Sequence, residues 1–310
     1  MVLLIGDLNT ISHYLILRGW TMYQILTDSE CDLPLATLKD SNVDAICFHT
    51  KIGAEDIYND FGQSYDIEEF YQKIQKGIMP TTTQVNIGEY LEFFKPYVEK
   101  KMPIVYIGFS GGLSGSLASA KQARDILLES FPEATIEIVD TAAASGGQGL
   151  LVLQAIRLQK AGKSLQELIM WFTDNKLRLQ QWFTVDNLNY LYHGGRISHT
   201  SAALGTLLKV KPILEVDTNG KLRVVEKTRT RKKSLLDLAN KITPAIQNDI
   251  DQPIIITTSG DYDAAKVVKD KIQESIPEAD IQIYPIGMTI SSHTGFGCVA
   301  VFAMGSDNRQ

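Results

Sequence analysis

The spacing of apolar and polar positions alternates along the first half of the chain between two periods. Short apolar runs typical of buried strands occur at 24–27, 45–49, 103–109 and 135–139. Helical spacing separates them at 67–77, 87–100, 116–130 and 147–161. A capping box, Ser164-Leu-Gln-Glu167, opens one more helix that ends near 176. This alternation predicts an α/β fold whose first domain is doubly wound.

The pattern changes after about residue 180 and predicts a second, α+β domain. An Asn219-Gly220 turn between two alternating runs is a strong hairpin signal. The expected strands are 182–185, 212–216, 222–226, 253–258, 280–285 and 298–303, with helices at 231–247 and 262–275. We therefore expect domains at 22–178 and 179–310. Residues 1–21 precede Met22 and lack the basic start of a signal peptide, so they are interpreted as an extension of unknown role.

Composition narrows the class of protein. Hydrophobic residues make up 44% of the 310 residues, charged residues 21%, and the net charge is −6, which argues against an overall attraction to nucleic acid. No apolar stretch is long enough for a transmembrane helix. The three cysteines, Cys31, Cys47 and Cys298, are too few and too widely spaced for a disulfide framework or a metal knuckle. These features predict a cytoplasmic protein.

The most informative segment is Gly108-Phe-Ser-Gly-Gly-Leu-Ser-Gly-Ser116, between an expected strand and an expected helix. Its hydroxyls and the free N–H groups of a helix start favour an anion site, although a tight strand-to-helix turn would have the same composition. It also contains G-x-S-x-G around Ser110, the nucleophile elbow of α/β-hydrolases. A serine hydrolase or thioesterase that uses Ser110 and His293 is therefore an alternative.

Two further polar segments could face a ligand. Pro80-Thr-Thr-Thr-Gln84 precedes a helix that Asn86 could cap; capping is the commoner use of threonine there, and ligand binding is the alternative. His293 lies in an expected turn among hydroxyls and glycines before the last strand, where an imidazole could donate to an anion. Asp28 and Asp32 follow the first strand and could either face a ligand or cap a turn.

The remaining histidines and the basic residues give weaker signals. His13, His49, His193 and His199 have no metal-ligand spacing, so no metal is expected. Arg196 and the basic run at 223–233 could face phosphate or an acidic partner. The run lacks the interleaved aromatic residues of a nucleic-acid surface, and no nucleic-acid partner is expected.

Taken together, these segments resemble the DegV family of fatty-acid-binding proteins, which includes the FakB subunits of bacterial fatty acid kinase. Eight blocks in the correct order carry the resemblance: 25–34, 80–84, 113–116, 139–141, 192–198, 211–214, 229–233 and 293–297. The resemblance implies a two-domain protein that is not an enzyme by itself. It would bury a long-chain fatty acid in an apolar tunnel and present the carboxylate to a partner kinase, similar to dihydroxyacetone kinases, for acyl-phosphate formation and phospholipid synthesis.

The resemblance also assigns residues. Thr82, or Thr83 one position along, and Ser114 would bind the carboxylate, with Gly115 and Ser116 beside them and His293 close by. Arg196 and Arg229 are the candidates for charge stabilisation or kinase contact. The fatty acid would be a ligand, and no cofactor is implied. Transient contact with a membrane would be compatible with this role.

Overall fold

A computed structural model describes residues 22–197, 210–246 and 252–309. The strands in this part of the chain are β1 Gln24–Asp28, β2 Asp44–Ile46, β3 His49–Ile52, β4 Glu55–Tyr58, β5 Thr81–Thr83, β6 Ile104–Gly108, β7 Ile136–Asp140, β8 Leu179–Thr184, β9 Lys211–Val216, β10 Leu222–Thr228, β11 Ile254–Thr258, β12 Ile281–Pro285 and β13 Val299–Met304. The α-helices are α1 Leu35–Asp40, α2 Ile67–Gln75, α3 Ile87–Glu99, α4 Ser116–Ser130, α5 Gly146–Lys160, α6 Leu165–Asn175, α7 Asn189–His193, α8 Arg231–Ile246, α9 Tyr262–Ser275 and α10 Met288–Thr294.

The first sheet is parallel, with strand order β2-β1-β6-β7. Helices α3 and α4 pack on one of its faces around Tyr90, Phe94 and Leu117, and α5 packs on the other. Parallel strands buried on both faces read as continuous apolar runs, which is why β1 and β6 were recognisable in the sequence. Strand β7, at the edge of the sheet, is only partly buried. The expected α/β class is confirmed.

A three-stranded antiparallel sheet, β4-β3-β5, leaves the parallel sheet after β2. The expected single strand 45–49 is therefore wrong: it divides between β2 and β3. At the division, the N–H of Phe48 donates to the Ser29 hydroxyl rather than to a strand. Because the Ser29 hydroxyl satisfies this N–H group, the backbone can leave the parallel sheet at Phe48 without an unpaired donor.

The third sheet has six strands, in the order β10-β9-β8-β13-β11-β12. Helices α8 and α9 pack on one face of it against Val299, Val301 and other branched residues. Helix α5 approaches the other face closely, because Gly146 and Gly147 at its start leave room for Phe302. A Cβ atom on Gly147 would lie 2.9 Å from that ring.

Elements from the first and second halves of the chain share one hydrophobic cluster. It contains residues of β1 and β6, of α5, and of β8 and β13, such as Ile25, Val105, Leu151, Phe183 and Phe302. Burial of this common core holds the parallel sheet and the six-stranded sheet at a fixed separation. The space left between them forms the candidate site.

Candidate ligand site

A cavity of about 260 Å³ lies between the parallel sheet, the three-stranded sheet and the six-stranded sheet. Most of its wall is apolar. The polar residues of the wall include Thr82, Thr83, Ser114, Arg196 and His293, all of which the sequence analysis singled out. The structure thus brings together residues that are far apart in the chain.

The polar end of the cavity is built where β5 meets α10. The Thr82 hydroxyl and the His293 Nε2 atom lie 2.8 Å apart. The threonines do not cap a helix, so that expectation is wrong: they form β5, and Asn86 with Glu89 makes the capping box of α3. The expected turn at His293 is also wrong, because this residue lies in α10. The sequence of α10, Met-Thr-Ile-Ser-Ser-His-Thr, contains β-branched and small polar residues that favour other conformations, and its tertiary packing overrides them.

The His293 ring packs tightly on its second side. A Cβ atom on Gly194 would lie only 2.1 Å from the His293 Nδ1 atom, so glycine is required there. The Nδ1 atom has no hydrogen-bond partner among the described residues. Burial, with a smaller contribution from Arg196, lowers the pKa of His293 to about 4. Near neutral pH the imidazole is therefore uncharged and offers one N–H donor.

Ser114 lies at the same end of the cavity, before α4. Its hydroxyl is 2.9 Å from the Ser116 hydroxyl and accepts from the Ser116 N–H. Ser116 does not border the cavity within the described structure; it is buried, and its hydroxyl accepts from the Val85 N–H two residues after β5. Gly115 does border the cavity, and a Cβ there would collide with Gln84. Ser116 thus holds the glycine loop against the β5 segment and positions Ser114.

Arg196 and Arg229 occupy different places. The Arg196 guanidinium borders the cavity, where it donates to the carbonyl oxygens of Leu113 and Gly194, at 3.1 and 2.5 Å. It ties the segment that packs on His293 to the glycine loop that carries Ser114. Arg229 follows β10, is exposed, and does not border the cavity in the described part of the chain.

The apolar floor of the cavity is one face of the six-stranded sheet. Cys298, Ala300 and Phe302 all border the cavity, as expected for alternate residues along β13 and its approach. At about 3.3 Å per residue, this row extends roughly 13 Å. Phe183 of β8 is paired with Ala300 and widens the floor. Sequence periodicity identified β13 but could not indicate which of its faces meets a cavity.

Ser110 has a structural role that contradicts the hydrolase alternative. It is fully buried, and its hydroxyl donates to the carbonyl oxygen of Gly220 at 2.8 Å and accepts from the Gly112 N–H. The β9–β10 turn covers this loop so closely that a Cβ on Gly220 would lie 2.1 Å from the Ser110 oxygen. His293 is bonded to Thr82 instead. Nucleophilic catalysis needs the serine and its base within hydrogen-bond reach, and this pair is not.

Asp28, the last residue of β1, has a structural role as well. Asp28 accepts from the Tyr106 hydroxyl, the Phe109 N–H and the Gln148 amide, and it caps the 3₁₀ turn Ser29–Cys31. It does not border the cavity within the described residues, whereas Glu30 does. The sequence analysis missed Glu30, together with Ser145 and Thr289 of the cavity wall. The acidic run Asp28-Ser-Glu-Cys-Asp32 at the end of the first strand was the signal that could have pointed to Glu30.

The described residues contain neither a cluster suited to a metal ion nor a membrane-spanning helix. No cluster of three or more histidine, cysteine, aspartate or glutamate residues in the described ranges could hold a metal ion. None of the helices described here has the length and apolar character needed to cross a bilayer. His13 and His199 lie outside the described residues, as do residues 1–21.

A mostly apolar cavity with a cluster of polar side chains at one end, set between α/β layers, is typical of a protein that binds an amphipathic molecule. Residues 22–306 match the family described as "uncharacterised protein, DegV family". A DegV domain-containing protein of Clostridium perfringens is 42% identical over 91% of this chain and 97% of that protein. The chain therefore belongs to the DegV family, as the eight sequence blocks indicated.

Solved structures of the family have the same fold. A DegV family protein of Thermus thermophilus, described for its fatty acid binding, matches with a TM-score of 0.81 and 27% identity over 92% of this chain and 99% of that chain. A fatty-acid-binding DegV protein of Streptococcus agalactiae matches with a TM-score of 0.80 and 25% identity over 93% of this chain and all of that chain.

Proposed function

We propose that this protein binds one long-chain fatty acid, with its carboxylate at the polar end of the cavity and its tail on the apolar floor. The observation that carries the proposal is the Thr82–His293 pair at one end of a mostly apolar cavity. The Thermus and Streptococcus relatives are described as fatty-acid-binding, which supports the same ligand class here.

Each polar residue would have a distinct part in holding the carboxylate. Thr82 and Ser114 would donate hydroxyl hydrogen bonds, and the neutral His293 ring would donate its N–H. Thr83 also borders the cavity and is the alternative donor on β5. Gly115 would allow close backbone approach, and Ser116 would position Ser114. The Arg196 guanidinium would supply positive charge, and the hydrogen bonds it makes to described residues go to backbone carbonyl oxygens rather than to a carboxylate.

The test compares two serines of the same loop. Ser114→Ala should weaken fatty acid binding by about ten- to a hundredfold, since a hydrogen bond to a charged group contributes about 1.5–3 kcal/mol. Ser110→Ala should lower stability by freeing the Gly220 carbonyl, but leave fatty acid occupancy close to that of the original protein. Lipid extraction followed by mass spectrometry measures fatty acid occupancy. The rise of the thermal unfolding midpoint with added fatty acid measures how far the ligand stabilises the folded protein.

Two results would contradict this proposal. One is an unchanged unfolding midpoint of the original protein at saturating fatty acid. The other is an esterase activity that Ser110→Ala abolishes, which would restore the hydrolase alternative.

We further propose that the protein catalyses no reaction alone and presents the carboxylate to a cytoplasmic fatty acid kinase subunit, similar to dihydroxyacetone kinases. The motif resemblance supports this role, and Arg229 is exposed and available for an acidic partner surface. Arg196 lies at the cavity, where added negative charge on a transferring phosphoryl group would need stabilising.

The kinase role predicts that Arg229→Ala keeps fatty acid binding and slows phosphorylation in a reconstituted assay, through weaker and less salt-sensitive association. Lys266→Ala is the matched control, because it removes one exposed positive charge from α9. Equal phosphorylation rates for the original protein and Arg229→Ala would place the kinase contact elsewhere.

A further inference from the structure

Glu30 is an unusual part of the wall of an apolar cavity. Only 1% of its surface is exposed, and it borders the cavity. Its Oε1 atom accepts from the Asn59 amide at 2.9 Å and from the Ser29 hydroxyl at 3.2 Å. No basic side chain in the described part of the chain forms an ion pair with it. Burial, reinforced by the nearby Asp32 and Asp28, raises its pKa well above the usual range. This shift favours the protonated form, in which the carboxyl can both donate and accept.

Two neighbouring contacts between β-strands and α10 relate Glu30 to the polar end of the cavity. Thr82 of β5 is paired with Thr50 of β3. Thr82 contacts His293, and the Thr50 hydroxyl lies 3.2 Å from the Thr289 hydroxyl. Thr289 precedes His293 by one helical turn, about 5.4 Å along the axis. The Thr289 side chain also lies near the Glu30 carboxyl and slightly opposes the rise of its pKa. The polar wall thus continues one turn beyond the carboxylate donors.

Ser145 places a further hydroxyl at an intermediate depth along the floor. Its hydroxyl donates a hydrogen bond to the Asp32 carboxyl, and its oxygen lies 2.9 Å from the Thr257 hydroxyl. Thr257 is paired with Ala300, the middle residue of the floor row. Since Ser145 and Thr289 both border the cavity, the polar groups lie beside the path of the tail and not only at the head.

An unsubstituted acyl tail cannot form hydrogen bonds, so these groups gain nothing from it. We propose that Glu30, Thr289 and Ser145 form a second polar subsite that recognises a hydroxyl group on the acyl chain, and that the preferred ligand is a hydroxylated fatty acid. This inference rests on the proposed function and adds the class of fatty acid. A hydroxyl both donates and accepts, which matches a buried carboxyl that lies beside hydroxyl groups.

The experiment measures the affinity of the full chain for hexadecanoic acid and for a positional series of its monohydroxy derivatives. At least one isomer should bind about three- to tenfold more tightly than the unsubstituted acid, the gain expected from one net hydrogen bond. Thr289→Val, which keeps the side-chain shape, should bring that ratio close to one. Thr294→Val is the matched control: Thr294 also borders the cavity, but its hydroxyl is bonded to the Ile290 carbonyl of its own helix.

A second pair of variants keeps the test decisive if Thr289→Val folds poorly. Glu30→Met should remove the preference, and Glu30→Gln, which still donates and accepts, should retain it. If the original protein binds hexadecanoic acid but prefers no hydroxylated isomer, the subsite is rejected while the proposed function stands. If no fatty acid binds at all, both are rejected.

Discussion

The polar end and the apolar floor of the cavity are built in different ways. Four separate segments each contribute one side chain to the polar end: Thr82, Ser114, Arg196 and His293. The floor takes alternate residues from one strand, β13, and a neighbour on β8. Hydrogen bonds between distant segments define the first region, and the regular geometry of a sheet defines the second.

This difference implies that the two regions contribute differently to stability. Phe302 belongs both to the floor and to the shared hydrophobic core, where it packs against the glycines of α5. The donors at the polar end bury little apolar surface, so they contribute less to folding. Substitutions in the floor should therefore change stability and ligand size together, whereas substitutions at the polar end should change carboxylate binding with smaller losses of stability.

The largest expected effect is that of Phe302→Ala. Removal of a buried phenylalanine should lower the free energy of unfolding by about 3–5 kcal/mol and should enlarge the cavity, so that longer acyl chains compete better. Denaturant unfolding and competition between fatty acids of increasing length measure the two effects. Phe172→Ala on α6 is the control, because Phe172 is buried in the same cluster without bordering the cavity. Equal chain-length preferences in both variants would show that Phe302 does not limit the tail.

A smaller and more local effect is expected from Gly194→Ala. The backbone at Gly194 is helical, so alanine is conformationally acceptable, but its Cβ would displace the His293 ring. Overpacking of this kind costs about 1–3 kcal/mol, and we expect about a tenfold loss of fatty acid affinity. Gly195→Asn is the control, because Gly195 has a positive φ that asparagine tolerates and has open space around its Cβ position. A Gly194→Ala protein with normal affinity would mean that the position of His293 does not govern carboxylate binding.

Much of the secondary structure was predictable because local rules and tertiary packing agree. The Asn86 cap, the Ser164 capping box, the Asn219-Gly220 turn and the parallel strands β1, β6 and β7 all lie where the sequence indicated. The exceptions are short elements whose stability comes from neighbours. Strand β5 consists of three threonines that pair with β3, and α10 is a seven-residue helix with weak intrinsic propensity.

The candidate site was likewise only partly predictable from the sequence. From the sequence alone, the motifs indicated the family, and the resemblance assigned Thr82, Ser114 and His293 to the carboxylate. The residue types agree with that assignment, because hydroxyls, glycines and a histidine are suited to an anion. Only the tertiary structure decided that Ser110 is buried under the β9–β10 turn while Ser114, four residues later, borders the cavity. It also decided that Glu30 borders the path of the tail. Periodicity and motifs report on contacts between near neighbours in the chain, whereas the Thr82–His293 contact joins residues 211 positions apart and depends on how three sheets pack.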